Sequence, residues 1–489
     1  MTVPFNTSIA ARRGPPSLLP VVNVREQCGA KGDGMADDTE AFHQAAALIQ
    51  KAGGGTLVIP KGVYRVGRQR HVPGETPYYQ GADIFAVRNL EFLRIVGNKA
   101  TLKITPGLRF GSFDAQTGQP LAPTPPFYDG KAVAAVGNLV SATGCRNVII
   151  EDLTLDGSSD TLTVGGMWGD TGRQLPGSGL VLYNNGRVRI RGVHSHHHAL
   201  DGAIIGWTGL KESAAPTPHE LRNCVFEFNG RQGLSWVGGR GLTARKCRFA
   251  FTGRGKLSSA PGAGVDIEAE ESVCRDGLFE ECEFWDNAGC GMVADSGNGG
   301  YTRFVRCSFW GTTSWTVWSL KPGLVYDNCR FHGSAVHTIG SPNPELATRF
   351  KNCRFEDRRP TGNDRVYRGS GYLMETDGGG ENVLFENCTF TAKASRSLWF
   401  GGAAGRGRFA NCTFVHRYAK NAPGEFACVL RNVDLVGCRF REELPRSTGG
   451  QTAAILTGKT RVLPGPPTVV SGPQIRWNNR VGTIPTGEY

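Results

Sequence analysis

Apolar and polar residues alternate in short bursts along most of the chain, and glycine or asparagine separates the bursts. The most regular burst is a Cys-x-Phe phrase, whose copies follow one another at steps of 22 to 26 residues, apart from two steps of 35. Residues two apart on a strand point to the same side, so each cysteine and its phenylalanine are predicted to enter the core together. Such a period is typical of one coil of a parallel β-solenoid. The cysteines of the phrase are Cys224, Cys247, Cys282, Cys307, Cys329, Cys353, Cys388, Cys412 and Cys438.

The coils extend less regularly beyond this phrase. Two earlier stretches, 147–157 and 186–202, show the same β-branched alternation ending in a glycine turn. After about residue 445 the period is lost. We therefore predict an N-terminal arm over 1–22, a solenoid over 23–445, and an irregular C-terminal tail or cap over 446–489.

The segment 23–67 predicts how the solenoid begins. A glycine-rich turn at Gly29–Gly34 leads through Asp37 and Asp38 into a helix over 39–51, which stops at three glycines before a strand. An amphipathic helix can cover the open end of a solenoid. This succession closely resembles the opening of the pectate-lyase-like superfamily of right-handed parallel β-helix proteins.

The resemblance implies an all-β fold, a right-handed single-stranded parallel β-helix (solenoid) with an N-terminal capping helix. It also implies structural roles for Asp33, Asp37 and Asp38. The superfamily includes polysaccharide lyases, glycoside hydrolases, uronate epimerases and tailspike depolymerases, so the resemblance is specific for the fold and not for one activity.

Composition and charge narrow the classes of partner. The net charge of +12 favours an anionic partner, and acidic polysaccharide fits better than nucleic acid because no nucleic-acid-binding signature is present. No run of 18 apolar residues predicts a membrane span. The fourteen cysteines include no C-x-x-C pair, and the coil phrase accounts for most of them, so neither disulfides nor zinc are predicted. The N-terminus lacks the apolar core of a secretory signal, and the compartment stays open.

Five successive coils can be aligned on the strand that follows each turn. Alternate positions are apolar and are expected to point inward, which leaves two columns between them that face outward. The first, here named the outer column, holds Ile204, Ser235, Asp266, Val293 and Trp318, and the second, the edge column, holds Gly206, Val237, Glu268 and Asp295.

Asp266, Glu268 and Asp295 are thus predicted to lie on one face of adjacent coils, where parallel strands are about 4.8 Å apart. Two carboxyl groups about 5–9 Å apart, one protonated and one ionised, perform glycoside hydrolysis. The same carboxylates would equally suit Ca²⁺, and acids on an outward strand are most often simply solvated.

Residues around these acids are predicted to hold the substrate. Trp318 would stack on sugar rings, and the basic side chains would hold substrate carboxylates. The predicted substrate-binding residues are Arg231, Gln232, Ser235, Arg254, Lys256, Glu270 and Trp318.

A second constellation precedes the first aligned strand. The run His196–His198 suits a general base or a metal site, although alternation turns only some of these rings outward. The stretch is similar to that of alginate epimerases and related lyases, which carry a YGFDPH motif near this coil. The similarity places Asp201 at the motif's Asp and His198 at its Tyr, whereas Gly202 and Ala203 follow and the motif's His is missing. The similarity therefore carries over a catalytic role for Asp201 alone, whereas His198 is predicted to be catalytic from the histidine run.

Three functions follow as hypotheses. The leading one is hydrolysis of a polysaccharide or oligosaccharide, which the charge argument predicts to be acidic, with Glu268 or Asp266 acting with Asp295. The alternative is a polysaccharide lyase, in which a histidine, Arg231 or Lys256 removes a proton beside a uronate carboxylate. A non-catalytic glycan-binding spike or adhesin is the third. No cofactor and no metal are expected unless a lyase uses Ca²⁺, and a homotrimer is a further expectation because tailspike relatives are trimers.

Overall fold

The computed structural model describes most of the chain as one continuous stack of strands. The predicted arm lies outside the described residues as far as residue 18. The described residues are 19–71, 79–114, 116–123, 133–166, 174–356, 380–392, 398–400, 406–417, 427–444, 452–472, 475–478 and 480–489.

In the best-described middle of the chain, over 180–319, a coil contributes one strand to each of three parallel sheets. In one coil these strands are Asp201–Gly206, His219–Arg222 and Val225–Glu227. The first pairs in parallel with Gln232–Val237 of the next coil, and the other two pair likewise with their counterparts. Parallel strands one coil apart give a β-solenoid, which confirms the predicted all-β parallel β-helix.

The three sheets are named here by their order within a coil. The first sheet includes Phe85–Arg88, Val140–Thr143, Leu180–Tyr183, Asp201–Gly206, Gln232–Val237, Ala263–Ile267, Met292–Ala294 and the end of Ser308–Ser319. The second includes Gly54–Val58, the starts of Phe92–Ile104 and Asn147–Asp156, Arg187–Arg191, His219–Arg222, Leu242–Arg245, Gly277–Glu280, Thr302–Val305, Val325–Asp327, Arg349–Lys351, Leu384–Glu386, Gly407–Ala410, Val433–Val436 and Arg461–Val462. The third includes Asp33–Asp37, Val63–Val66, the ends of Phe92–Ile104 and Asn147–Asp156, His194–His196, Val225–Glu227, Arg248–Ala250, Glu283–Trp285, the start of Ser308–Ser319, Arg330–Val336, Arg354–Glu356, Thr389–Ala392, Thr413–Arg417, Arg439–Leu444 and Thr468–Ser471.

The Cys-x-Phe phrase forms the corner between the second and third sheets and the interior behind it. All nine cysteines and their phenylalanines are buried, and each cysteine is a free thiol. The phenylalanine rings stack coil on coil with centroids 4.4–5.4 Å apart. Asparagine often precedes the cysteine because the corner needs a left-handed backbone, as at Asn328 with φ 55°. The inward ladder predicted from the spacing is confirmed.

The N-terminal helix covers one end of the solenoid. It spans Thr39–Lys51, and its apolar stripe, which includes Phe42, Ala45 and Ile49, packs on the strands Gly54–Val58 and Phe85–Arg88. In the described part of the chain no helix is long and apolar enough to cross a membrane.

The acids of the opening motif are structural. Asp38 accepts backbone N–H bonds from Lys31 at 2.6 Å and Gly32 at 3.0 Å, which closes the glycine-rich turn. Asp37 accepts the N–H of Thr39 at 3.0 Å at the start of the helix. The structural role predicted for these acids is confirmed.

The C-terminal boundary differs from the prediction. The described part of 446–489 is not an irregular tail, because Thr452–Thr457, Arg461–Val462 and Thr468–Ser471 continue the parallel stack. Gly482–Ile484 then pairs antiparallel with Thr468–Ser471, and Gly487–Glu488 pairs antiparallel with Arg461–Val462, which closes the end of the stack. The Cys-x-Phe phrase disappears here, but apolar alternation persists, and Val470 takes the position of a stacked phenylalanine beside Phe440.

Candidate active site

The first sheet brings the predicted columns together. Ile204, Ser235, Asp266, Val293 and Trp318 are successive register partners, so the outer column exists as aligned from the sequence. Inward partners such as Ala203, Leu234 and Val265 are fully buried. The alternation of a strand therefore fixed which residues face out of the solenoid.

Facing out of the solenoid does not leave these residues open to solvent. Ser235, Asp266 and Val293 are only 2%, 3% and 4% exposed, while Ile204 and Trp318 at the ends of the column are half-buried. Strand alternation determines which way a side chain points, whereas neighbouring side chains and loops determine how exposed that side chain is. A simply solvated acid, the alternative to an acid–base role, is therefore excluded for Asp266.

A repeated contact explains much of this cover. In two successive coils, the first residue of the strand bonds to the fourth residue of the strand in the next coil. Ser235 Oγ donates to Asp201 Oδ2 at 3.0 Å, and Gln232 Nε2 donates to Asp266 Oδ2 at 2.8 Å. Gln232 also accepts the N–H of Ala263 at 3.1 Å. Gln232 and Ser235, which were predicted to bind substrate, are instead buried partners of the two carboxyl groups.

Arg231 is the cation of this cluster. Its Nη1 lies 3.6 Å from Asp201 Oδ2 and its Nη2 lies 4.0 Å from Glu268 Oε2, and the side chain is 10% exposed. Neither distance is that of a tight hydrogen bond. The guanidinium therefore compensates two carboxylates while keeping hydrogen-bonding capacity toward a third group.

Burial sets the protonation of the two hidden carboxyl groups. Loss of hydration raises the pKa of Asp201 to about 6, although Arg231 and the bond from Ser235 oppose the rise. Loss of hydration also raises the pKa of Asp266 well above its usual range, and the neighbouring charge of Glu268 adds to that rise. Asp266 Oδ1 and Asp201 Oδ1 are buried without a hydrogen-bond partner in the described part of the chain. The cluster is therefore built to hold a proton near neutral pH.

The other predicted acids are more open. Glu268 has a side chain 26% exposed, and its Oε1 accepts a bond from Ser296 Oγ at 2.8 Å. Asp295 and Glu270 are exposed. Asp295 is close enough that its charge also raises the pKa of Asp266. The buried carboxyl group of Asp266 therefore lies beside carboxylates that solvent can reach.

Tyr183 belongs to this site and was missed from the sequence. It is the register partner of Gly206, so it heads the edge column that continues through Val237 toward Glu268. Its phenol pKa is raised to about 12 by burial first and then by the charges of Glu270 and Asp201. Aligning one coil further toward the N-terminus would have found it.

Aromatic rings end the outer column on the other side. Trp318 lies 5.0 Å from Trp315 and 4.3 Å from His337, measured between ring centroids. Trp318 is two strand positions from Asp266, or about 10 Å at the usual strand spacing. It keeps the position predicted for a sugar platform.

Arg254 and Lys256 already have partners in the protein. Arg254 Nη2 binds the carboxylate of Asp286 at 3.0 Å. Lys256 Nζ donates to the backbone oxygens of Leu162 at 2.6 Å and Asp160 at 3.4 Å. These bonds anchor the turns that carry them, and substrate binding by these two residues stays a prediction.

The histidine run is corrected in part. His198 is 1% exposed and points into the interior, where burial lowers its pKa to about 3 and keeps it neutral. It cannot act as a base at the surface. His196 and His197 stay near the surface and face Asp156 at 3.9 Å and Asp160 at 3.5 Å, on the third sheet and the turn after it.

A Ca²⁺ site is not favoured at the acids. Among the described residues no group of three or more acidic, histidine or cysteine side chains is arranged to hold a metal ion. Asp266 receives an amide donor from Gln232, and Arg231 already supplies the positive charge. The donor set therefore does not fit a cation between these carboxylates.

Comparison with known protein families agrees with this architecture. The model of the right handed beta helix region matches residues 138–443, which is more than half of the chain and includes the candidate site. The chain belongs to the right-handed β-helix family. The expected handedness and the superfamily resemblance are confirmed by that match.

Relatives of this β-helix protein include alginate lyase 7 of Azotobacter vinelandii, 32% identical over 216 residues, or 42% of this chain. The match spans one fifth of that protein's length. The A-module of mannuronan C-5 epimerase AlgE4 from the same organism is similar in structure, with TM-score 0.44 and 13% identity over 92% of this chain and 100% of that one. An exopolygalacturonase from Thermotoga maritima has TM-score 0.31 and 14% identity over 98% and 95% of the two chains.

Proposed function

We propose that this β-helix protein cleaves an acidic polysaccharide by acid–base chemistry at the cluster around Arg231. The observation that carries the proposal is one nearly buried guanidinium placed between Asp201 and Glu268, beside the hidden carboxyl of Asp266. Residues whose surroundings separate their protonation states supply the acid and the base of such reactions.

Hydrolysis is the leading reaction. Glu268 and Asp295 reach solvent on adjacent coils and would flank the scissile bond. One of them takes a proton from the attacking water, and the other passes the proton held by the buried carboxyl of Asp266 to the leaving oxygen. Trp318 would stack against a sugar ring at the end of the column.

β-Elimination is the second candidate, and Arg231 together with Tyr183 favours it. A guanidinium with loose contacts can neutralise a uronate carboxylate, which makes the adjacent proton easier to remove. The carboxylate of Glu268 beside Arg231 would take that proton, and the neutral phenol of Tyr183 can give a proton to the leaving oxygen. The named activity of the Azotobacter relative, alginate lyase, supports the same chemistry.

Product analysis distinguishes the two reactions. The purified chain is incubated with a panel of uronic acid polymers, and new reducing ends and ultraviolet absorbance are measured together. Hydrolysis yields reducing ends alone, whereas elimination also yields an absorbing conjugated double bond. An added chelator tests the Ca²⁺ alternative, and we expect it to leave the rate unchanged. Absence of both signals on every polymer would favour a binding protein.

A further inference from the structure

The outward face of the second sheet carries arginines without acidic partners. Arg187, Arg189 and Arg191 alternate with buried residues on one strand, so all three side chains are exposed on one side. Arg222 is the register partner of Arg191 on the next strand and is also exposed. Within the residues that the structure describes, none of these four side chains has an ion pair or a side-chain hydrogen bond.

Three acids border this row: Glu220, the register partner of Arg189, and two that are already paired with other arginines or with the end of the row. Arg191, Arg222 and Arg245 are consecutive in register. Glu151, on one side of the row, binds Arg94 at 2.8 Å, and the acid on the other side, Glu280, accepts from Arg245 at 2.9 Å. Like charges directly opposite one another on a sheet are destabilising, so the fold itself gives no reason for this arrangement.

An apolar strip borders the same arginines. A cleft on this face is lined by the apolar residues Phe92, Ile149 and Ile190, by four arginines and by two acids, so its lining is basic on balance. The charged residues are Arg94, Arg189, Arg191, Arg222, Glu151 and Glu220. Phe92 and Ile149 are both half-buried. A uronate residue offers the matching surfaces, since its ring carbons are apolar and its carboxylate suits a guanidinium.

We infer that this face, named here the arginine face, is a second binding surface for acidic polysaccharide, separate from the cluster around Arg231. The choice of polymer rests on the proposed function. Because each strand of the sheet belongs to a different coil, the row of Arg191, Arg222 and Arg245 runs along the solenoid axis. A linear anionic chain that follows this axis would meet successive guanidinium groups. Single-stranded nucleic acid is a poorer match because it binds through several stacked aromatic platforms, and Phe92 is the one aromatic residue among the described lining of the cleft.

Binding to an inactive background tests the inference. In a Glu268→Gln chain, affinity for polygalacturonate is measured by calorimetry at two salt concentrations, with and without Arg191→Glu plus Arg222→Glu. We expect the double reversal to weaken binding on the order of tenfold and to flatten its salt dependence. The matched control is Arg330→Glu plus Arg354→Glu, another exposed arginine pair in register, on the third sheet, whose surroundings are polar.

The outcomes separate cleanly. The inference would be wrong if the double reversal left the affinity unchanged, or if the control pair lost as much affinity. It would also be wrong if the chain bound single-stranded DNA more tightly than the uronate polymer. If the reversal prevents folding by circular dichroism, Arg191→Gln plus Arg222→Gln is measured in its place. Turnover is not used here, so failure of the proposed chemistry would leave this result standing by itself.

Discussion

Replacing Arg231 by glutamine should raise the pKa values of the two hidden carboxyl groups. Arg231 opposes the rise at both Asp201 and Asp266. At 3.6 Å and an effective dielectric constant of about 20, the attraction to Asp201 is about 5 kcal/mol. Measured effects of an adjacent arginine on a carboxyl group are smaller, about 1–3 pKa units, and we take that range.

The consequence is a stability that depends on pH. The pKa of Asp201, about 6, lies above the ordinary value of 3.8, so its contribution is present below about pH 4 and is lost as pH rises through 6. In the wild type this amounts to about 3 kcal/mol at most. In Arg231→Gln the loss should continue to higher pH and reach a further ~1–3 kcal/mol at pH 8.

Urea unfolding followed by circular dichroism at pH 5 and pH 8 measures this difference. Arg306→Gln is the control, because Arg306 pairs with Glu280 and Glu281 at the surface, where ion pairs add little, and its loss should not change the difference in stability between the two pH values. If Arg231→Gln is destabilised equally at both pH values, Arg231 acts by packing and not through the charge of its neighbours.

Three other predictions concern the scaffold that holds the site. Phe355→Ala should cost about 3–5 kcal/mol in urea unfolding, since the ring is fully buried between two others at 4.7 Å, and Phe355→Leu should cost less. Dithiothreitol should leave the unfolding midpoint unchanged, because the cysteines are free thiols; a shift would mean that disulfides form. Gly206→Ala should lower turnover by displacing Tyr183, since the new Cβ would lie 2.5 Å from its ring. In the control Gly255→Ala the nearest atom is 3.6 Å away, so turnover should not change. Equal rates in the two variants would mean that Tyr183 takes no part in the reaction.

The sequence predicted the register of the site because the Cys-x-Phe phrase fixes where each coil begins. Once the coils are aligned, alternation places Asp266 and Trp318 in one column without any structure. The tail after residue 445 was harder, because alternation there continues without the phrase that marked it.

The sequence could not show how exposed each side chain is, or which side chains of neighbouring coils form hydrogen bonds. Asp266 was expected to project outward, yet Gln232 of the preceding coil binds its carboxyl group and it is buried. His198 was expected near the surface, yet the turn directs its ring inward. Both outcomes depend on contacts between residues about 30 positions apart, which a period of 22 to 26 residues with inserted loops does not specify.

The central claim is that the cluster around Arg231 performs acid–base cleavage, and Glu268→Gln tests it most directly. Glu271→Gln is the matched control, since Glu271 is an exposed glutamate three residues away in sequence. On the polymer that the wild type cleaves, we predict that Glu268→Gln loses about 10²–10⁴-fold in kcat while Glu271→Gln keeps its rate. Wild-type rates in both variants would contradict the account.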